Sequence, residues 1–543
     1  MRTIFLNGQV YTGDSDTLCE AFAVEDGRFT MVGTNAELAR TAASGDKIAD
    51  LGGNFVCAGF NDSHMHLLNY GQALRAAPLN EHTGSLREML DALADFLAAH
   101  PPRGGQWLYG RGWNQDYFKD GRRMPDRQDL DSISREVPIL ITRCCGHCCA
   151  VNSRVLELAG IGPDTPSPEG GSIGRYEDGT PDGRLFDNAI DLLNDVRPLP
   201  DKEELKEMIR LGCEGLNSYG VTSSQTDDYC VFRSIPFETV NEAYRELEEE
   251  GALSVRVYEQ ANLTTMQDLE RFVQSGNTTG TGSAFFRIGP LKLLGDGALG
   301  SRTAHLSKPY RGTGDVRGFN LFSDEHMNGM VAYANEHGMQ VAIHAIGDAC
   351  LDQVLNAVGK ALEEHPRTDH RHGIVHCQAS RPEQLERIRE LGMHVYAQSI
   401  FLDYDNHIVP ELLDEELQQT SYSWKTLLDG GVSVSNGSDC PVENPDVMAG
   451  IQCAVTRCSL DGTGPYLPGE AFSVREALDS FTVRGAEASF EEQEKGRIRE
   501  GYFADFVVLG RNPYDTLPEQ LHEIKVLQTW VGGKQVYALE KGV

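Results

Sequence analysis

The sequence predicts an α/β fold: a (β/α)8 barrel with a small β-sandwich domain formed by both chain termini. Three observations predict it. From about residue 200 to residue 440, short apolar strands alternate with amphipathic helices. Both ends of the chain instead read as short alternating strands punctuated by Gly and Asp. The residues able to hold a metal or move a proton fall at the C-terminal ends of the predicted strands, where such barrels keep their active sites.

The elements follow in chain order. Residues 1–57 look all-β, with TIFLNGQVYTG, AFAVEDGRFTMVG and DKIADLGGNFV as strands. GYFADFVVLG and IKVLQTWVGGKQVYAL repeat that texture near the other end, so 1–57 and 486–543 are read as two parts of one sandwich. The first barrel strand is FVCAGFND, in the stretch Phe55 to His66. Residues 68–200 break the rhythm. They hold a helix (SLREMLDALADFLAAH), QWLYGRGWNQ, a strand (VPILITR) and the Gly/Pro-rich IGPDTPSPEGGSIGRYEDGTPDGR. They read as an insertion in a 58–485 barrel, able to cover an active site.

After the insertion, helix and strand alternate. The strands are VTSSQTD, LSVRVYEQAN, FFRIGPLKLL, MQVAIHAIGD, HGIVHCQ, MHVYAQSI and VSVSNGSDCP, which with FVCAGFND make about eight. Many intervening helices end at Gly, as a left-handed cap requires.

Length and composition bound the function. The 543 residues are 40% hydrophobic and 24% charged, enough for a large core and unlike a disordered chain. The formal net charge of −33 argues against a nucleic-acid or anionic-membrane partner. No run of about 18 apolar residues predicts a membrane span. The start, MRTIFLNGQVYTGD, turns polar too early for a signal peptide. With 13 cysteines and no secretory signal, reduced thiols and a cytoplasmic location are expected.

The chemistry sits at strand ends. Strand one offers His64 and His66, whose i, i+2 spacing puts both imidazoles on one face. Alone, His-x-His equally describes a strand end facing solvent. Strand four adds Lys292, strand five His344, strand six His376 and strand eight Asp439. Each has an ordinary structural reading; Lys292 could snorkel and Asp439 could cap a turn. Their joint placement at one barrel mouth points to a divalent metal. Lys292 lies in apolar IGPLKLL, where a bare ammonium is costly to bury. Carboxylation by CO2 would make it a carboxylate able to bridge two metals; the alternative is an amine that polarises substrate.

The stretches NDSHMH, GRGWNQD, GHCCAVNSRVLELAGI, KLLGDGALGSRTA, HAIGD, HCQ, GSDCPV and KGRIREGYFADFVVL carry a resemblance. Through them the chain resembles the amidohydrolase superfamily, and within it the amidohydrolase-3 branch of YtcJ-like and N-substituted formamide deformylase-like proteins. The resemblance implies a distorted barrel plus a sandwich from both termini. It also implies a metal shell of His64, His66, Lys292, His344, His376 and Asp439. With two metals, zinc foremost, His64, His66 and Asp439 would hold one ion and His344 and His376 the other, with carboxylated Lys292 spanning both. A metal-activated hydroxide would attack a carbonyl carbon, and Asp439 would take its proton and pass it to the leaving nitrogen. The expected reaction is hydrolysis of a non-peptide C–N bond, an amide or N-substituted formamide, in a small molecule. The alternatives are a heterocycle deaminase or cyclic-amide hydrolase, and a non-catalytic scaffold. Lys292 counts against a one-metal deaminase, and the full ligand set against a scaffold. A homodimer is common for the superfamily.

Other polar groups are candidates for substrate contact. Asp296, Ser301 and Arg302 follow the Lys292 strand; Arg302 could clamp a carboxylate or carbonyl, or bridge loops. Trp113 and His147, in the insertion, could wall the metals or belong to the insertion's own core. Cys144, Cys145, Cys148 and Cys149 around His147 have zinc-like or redox-like spacing, but no second ligand pair accompanies them. Small buried residues ahead of an Asn-Ser helix cap explain them at least as well.

Overall fold

The structure, a computed structural model, describes residues 1–102, 105–143, 148–168 and 171–540. The chain divides into two compact units, one of residues 1–69 and 209–543 and one of residues 70–208.

The larger unit holds the barrel. Its eight strands run in chain order: Phe60–Met65, Val221–Thr226, Arg256–Asn262, Phe286–Leu294, Val341–Ala345, Gly373–His376, His394–Ala397 and Val434–Asn436. Every neighbouring pair in this sheet is parallel. The strands are buried almost throughout, which explains their near-continuous apolar runs. Beyond strand eight, Asp439 N donates to His64 O at 2.8 Å and His66 N donates to Cys440 O at 2.8 Å. These two bonds join the last strand's extension to the first strand at the barrel mouth. Gly437 permits the approach, because a Cβ there would lie 2.5 Å from His64 N.

The helices between strands present one apolar face each. Phe237–Glu249, for instance, buries Phe237, Val240, Ala243, Tyr244 and Leu247, a stripe at helical spacing. Each such large side chain contributes about 1.5–3 kcal/mol on burial. The helix Lys202–Ser218 stops before Gly220, whose φ of +82° turns the chain into strand two.

The terminal strands form two sheets. One has the order Arg28–Gly33, Ala21–Glu25, Thr3–Leu6, Lys47–Asp50; the other has Gln9–Val10, Phe55–Ala58, Phe506–Leu509, Val526–Val531, Lys534–Ala538. Phe5, Phe22 and Phe29 from the front of the chain pack with Phe506 and Trp530 from its end. Phe506 and Trp530 stack at 5.4 Å, and Phe5 and Phe22 at 4.9 Å. A buried ion pair ties this domain to barrel strand three, Arg256 Nε donating to Asp505 Oδ2 at 2.6 Å.

Two expectations need correcting. The stretch Phe55 to His66 is not one strand. Phe55–Ala58 belongs to the sandwich and Phe60–Met65 to the barrel, with the chain changing sheets at Gly59. A Cβ at Gly59 would run into the Thr222 side chain of barrel strand two. Residues 1–57 are also not all-β, because Asn35–Thr41 is a helix, started by a capping box between Thr34 and Glu37.

The 70–208 unit is built on its own six-stranded sheet. The order is Gly171–Arg175, Pro181–Asp187, Cys148–Val151, Ile139–Arg143, Leu108–Trp113, Ala77–Pro78. The Gly/Pro-rich stretch thus supplies an antiparallel hairpin. Helix Leu86–Ala99, capped by Ser85, buries Leu86, Met89 and Leu93 in a hydrophobic core of the unit.

Candidate metal centre

Strand geometry brings His64 and His66 to the same side, as their spacing requires, and the turn after strand eight sets Asp439 against them. Ligand atoms of His64, His66 and Asp439 all lie within 4.8 Å of one another. His66 Nε2 is 3.1 Å from Asp439 Oδ1, and His64 Nε2 is 3.4 Å from the same oxygen. His376 joins them, its ring centroid 5.7 Å from that of His64 and 4.6 Å from that of His344. His376 and Asp439 both have left-handed backbone, with φ of +76° and +58°. For non-glycine residues this costs about 1–3 kcal/mol each.

Each histidine's outward nitrogen has an acceptor, so that in the neutral ring the inward nitrogen carries the lone pair. His64 Nδ1 donates to Gln260 Oε1 at 2.7 Å, and His376 Nδ1 donates to Gln398 Oε1 at 2.7 Å. His66 Nδ1 donates to the main-chain oxygen of Asp227 at 3.0 Å. Those three turn Nε2 inward. His344 is reversed, since its Nε2 donates to Gly297 O at 3.0 Å and lies 3.2 Å from Asp296 Oδ1, leaving Nδ1 as its free lone pair.

The electrostatics favour a cation. Burial, reinforced by Lys292, holds His64 neutral well below its ordinary range. Burial and neighbouring His344 push His376 down to about 3. His66 goes the other way: burial opposes its protonation, but the hydrogen bonds to Asp439 and Cys230 outweigh that and raise its pKa well above the ordinary value. Burial likewise opposes ionisation of Asp439, and the His66 hydrogen bond with the nearby His64 and His376 overcomes it, lowering the carboxyl. The His66–Asp439 pair therefore keeps a proton where a metal ion would place its own charge.

Lys292 is fully buried in strand four, and its Nζ has no hydrogen-bond partner among the described residues. The nearest carboxylate oxygen, Asp227 Oδ2, is 3.9 Å away and accepts from Asn262 Nδ2 at 3.2 Å. An ammonium left this way is costly. The donor set of imidazoles and a carboxylate, in the same barrel as an orphaned buried lysine nitrogen, suits a divalent ion.

The remaining candidates lie elsewhere or serve otherwise. The carboxylate of Asp296 is taken up by main-chain N–H groups of His305, Ile346 and Gly347 at 2.8–3.1 Å, which holds the loop after strand four to the loop after strand five. Arg302 is exposed, and its guanidinium donates to no other described residue; Ser301 Oγ bonds Thr303 Oγ1 at 2.7 Å. Trp113 is fully buried in a core of the 70–208 unit. His147, Cys144 and Cys145 lie outside the described residues. Cys148 and Cys149 alternate along one strand and pack into different cores, so the two sulfurs do not converge.

Five residues beside the centre were not singled out from sequence: Asp227, Cys230, Gln260, Gln398 and Phe401. Asp227 closes VTSSQTD, so the strand-end rule that finds Asp439 also reaches it. Phe401 stacks on His376 at 5.6 Å with an interplanar angle of 18°. The glutamines carry no sequence signal, being amides within or just after buried strands.

Comparisons with known proteins agree with this architecture. A family model described as the amidohydrolase family matches residues 47–537. YtcJ of Bacillus subtilis (strain 168) is 33% identical over 547 residues, covering 99% of each chain. The N-substituted formamide deformylase of Arthrobacter pascens is 28% identical over 550 residues, covering 98% of this chain and 97% of that one. Among solved structures, a metal-dependent hydrolase from Pyrococcus furiosus matches with a TM-score of 0.77 and 28% identity, over 94% of this chain and all of that one.

Proposed function

The chain belongs to the amidohydrolase family, and from that premise we propose that it hydrolyses a non-peptide C–N bond in a small amide or N-substituted formamide. The observation that carries the proposal is the meeting of His64, His66 and Asp439 around one point at the barrel mouth. The rings of His344 and His376 and the orphaned Lys292 Nζ stand in the same barrel. His64, His66 and Asp439 would hold one divalent ion and His344 and His376 a second, with carboxylated Lys292 between; zinc suits this donor set. Such ions lower the pKa of water toward neutrality and polarise a carbonyl oxygen.

The chain's own residues handle protons and orientation. Asp439, kept ionised by its histidines, accepts a proton from the attacking water at Oδ1 and returns it to the leaving nitrogen. The C–N bond breaks, a C–O bond forms, and the products are a carboxylic acid and an amine. The formamide part of the proposal is supported by the full-length relative from Arthrobacter pascens.

The test is a panel of N-formyl and N-acyl amines offered to the zinc-loaded protein, with the released amine measured. Substituted amine plus acid is expected from at least one N-formyl compound. If ammonia is released from heterocycles while every amide is left intact, the proposal is wrong.

A further inference from the structure

The four histidines are not anchored alike. His66 and His344 donate to main-chain carbonyls, whose positions the barrel itself fixes. His64 and His376 donate instead to side-chain amides, those of Gln260 in strand three and Gln398 just after strand seven. Neither strand contributes a member of the proposed ligand set. Both glutamines are fully buried, so neither amide is there for solvent.

A neutral imidazole carries one proton, and only the nitrogen without it can bind a metal. An acceptor at Nδ1 keeps the proton there, and an acceptor 2.7 Å away also fixes the ring plane. We propose that Gln260 and Gln398 are positioning residues of the metal site, holding His64 and His376 as Nδ1–H tautomers with Nε2 turned toward the ions. This rests on the metal site of the proposed function. A carboxylate could do the same work, but it would add a negative charge to a centre that already holds Asp439 and Asp227. The amide oxygen accepts without that charge.

The two anchors differ. Gln260 is fastened at both ends, since its Nε2 donates to Ser63 O at 3.1 Å. Gln398 Nε2 is buried with no acceptor among the described residues. An orphaned donor costs stability, so Gln398 is retained at the expense of the fold. A residue present only for packing would not carry that cost.

The test uses the metal alone. Zn2+ or Co2+ affinity is measured by chelator competition, and the Co2+ absorption spectrum recorded, for the full chain and for Gln398→Leu, Gln398→Glu, Gln260→Leu and Gln260→Glu. The leucine variants are expected to bind ~10–100-fold more weakly, and the glutamate variants to recover most of that loss because an acceptor oxygen returns. Leucine variants that fold and bind as tightly as the parent overturn the inference. So do leucine and glutamate variants that are weakened equally, because the loss would then come from packing. A parent chain that takes up no divalent ion overturns the proposed function and this inference with it.

Discussion

The ammonium of Lys292 stands 3.9 Å from Asp227 Oδ2, and neither side chain reaches solvent. That gap is too long for a hydrogen bond, and Lys292 Nζ finds no other partner among the described residues. A buried lysine nitrogen without a hydrogen bond is costly to keep, which points to a role in binding.

Replacing Lys292 with Met tests that reading. An apolar chain of similar volume removes a buried nitrogen that makes no hydrogen bond, and leaves buried Asp227 without its counter-charge. Lys292→Met should stay folded while holding fewer divalent ions. Thermal scanning and metal analysis of the same sample check both halves. A variant that unfolds, or one that keeps its full metal content, would count against the assignment.

Asp439→Asn keeps the shape and removes the proton acceptor. Turnover of any accepted amide should fall by ~10²–10⁴ with the fold intact. In the metal-free chain the lowered carboxyl of Asp439 also contributes stability. A depressed pKa makes that contribution present above about pH 4 and lost as pH falls through the folded value. The Asn variant should lack this acid-side loss, which urea unfolding across that range would record.

How much of this is legible in the sequence depends on what each residue has to do. His64 and His66 are legible because the strand period of two places both on one side, whatever the rest of the fold. Lys292 is legible because an ammonium inside IGPLKLL contradicts its surroundings. The barrel is legible because its strands are buried on both faces and read as apolar runs between amphipathic helices. The change of sheets at Gly59 is not, since the apolar run continues across it and only the nearness of Thr222 demands the break. The helix Asn35–Thr41 is short enough to hide between strands, although Thr34 and Glu37 carry its capping signature. The left-handed turns at His376 and Asp439 carry no mark, because neither residue is Gly or Asn. Asp296 and Trp113 show the further limit. Residue type says what a side chain can do, and only packing says which way it faces.

Gly437→Ala should damage the centre without replacing a proposed ligand. The new Cβ would lie 2.5 Å from His64 N and 2.8 Å from His64 O, backbone atoms that cannot swing away. A cost of about 1–3 kcal/mol is expected from such overpacking, together with weaker metal binding as His64 and Asp439 are forced apart. Unfolding and chelator titrations measure the two effects, and an unchanged metal affinity would show that the mouth tolerates the shift.

Buried neutral histidines should set the acid limit of stability. Burial pushes His394 down to about 3, where its Nε2 shares a hydrogen bond with Ser435 Oγ at 2.8 Å. The unfolded chain takes up that proton near about pH 6.5. Between the two values the unfolded state binds more protons, so stability is lost as pH falls. From about pH 7 to about pH 5 the loss from His394 is about 2 kcal/mol. A His394→Gln variant should show a correspondingly flatter pH dependence of its urea midpoint.

The most direct test of the central claim is the number of divalent ions bound per chain after dialysis against zinc, for the parent and for a His64→Asn, His66→Asn double variant. The account predicts about two ions in the parent and a clear reduction in the variant, with the fold retained. A parent chain that binds no divalent ion, or a double variant that binds as many as the parent, would contradict it.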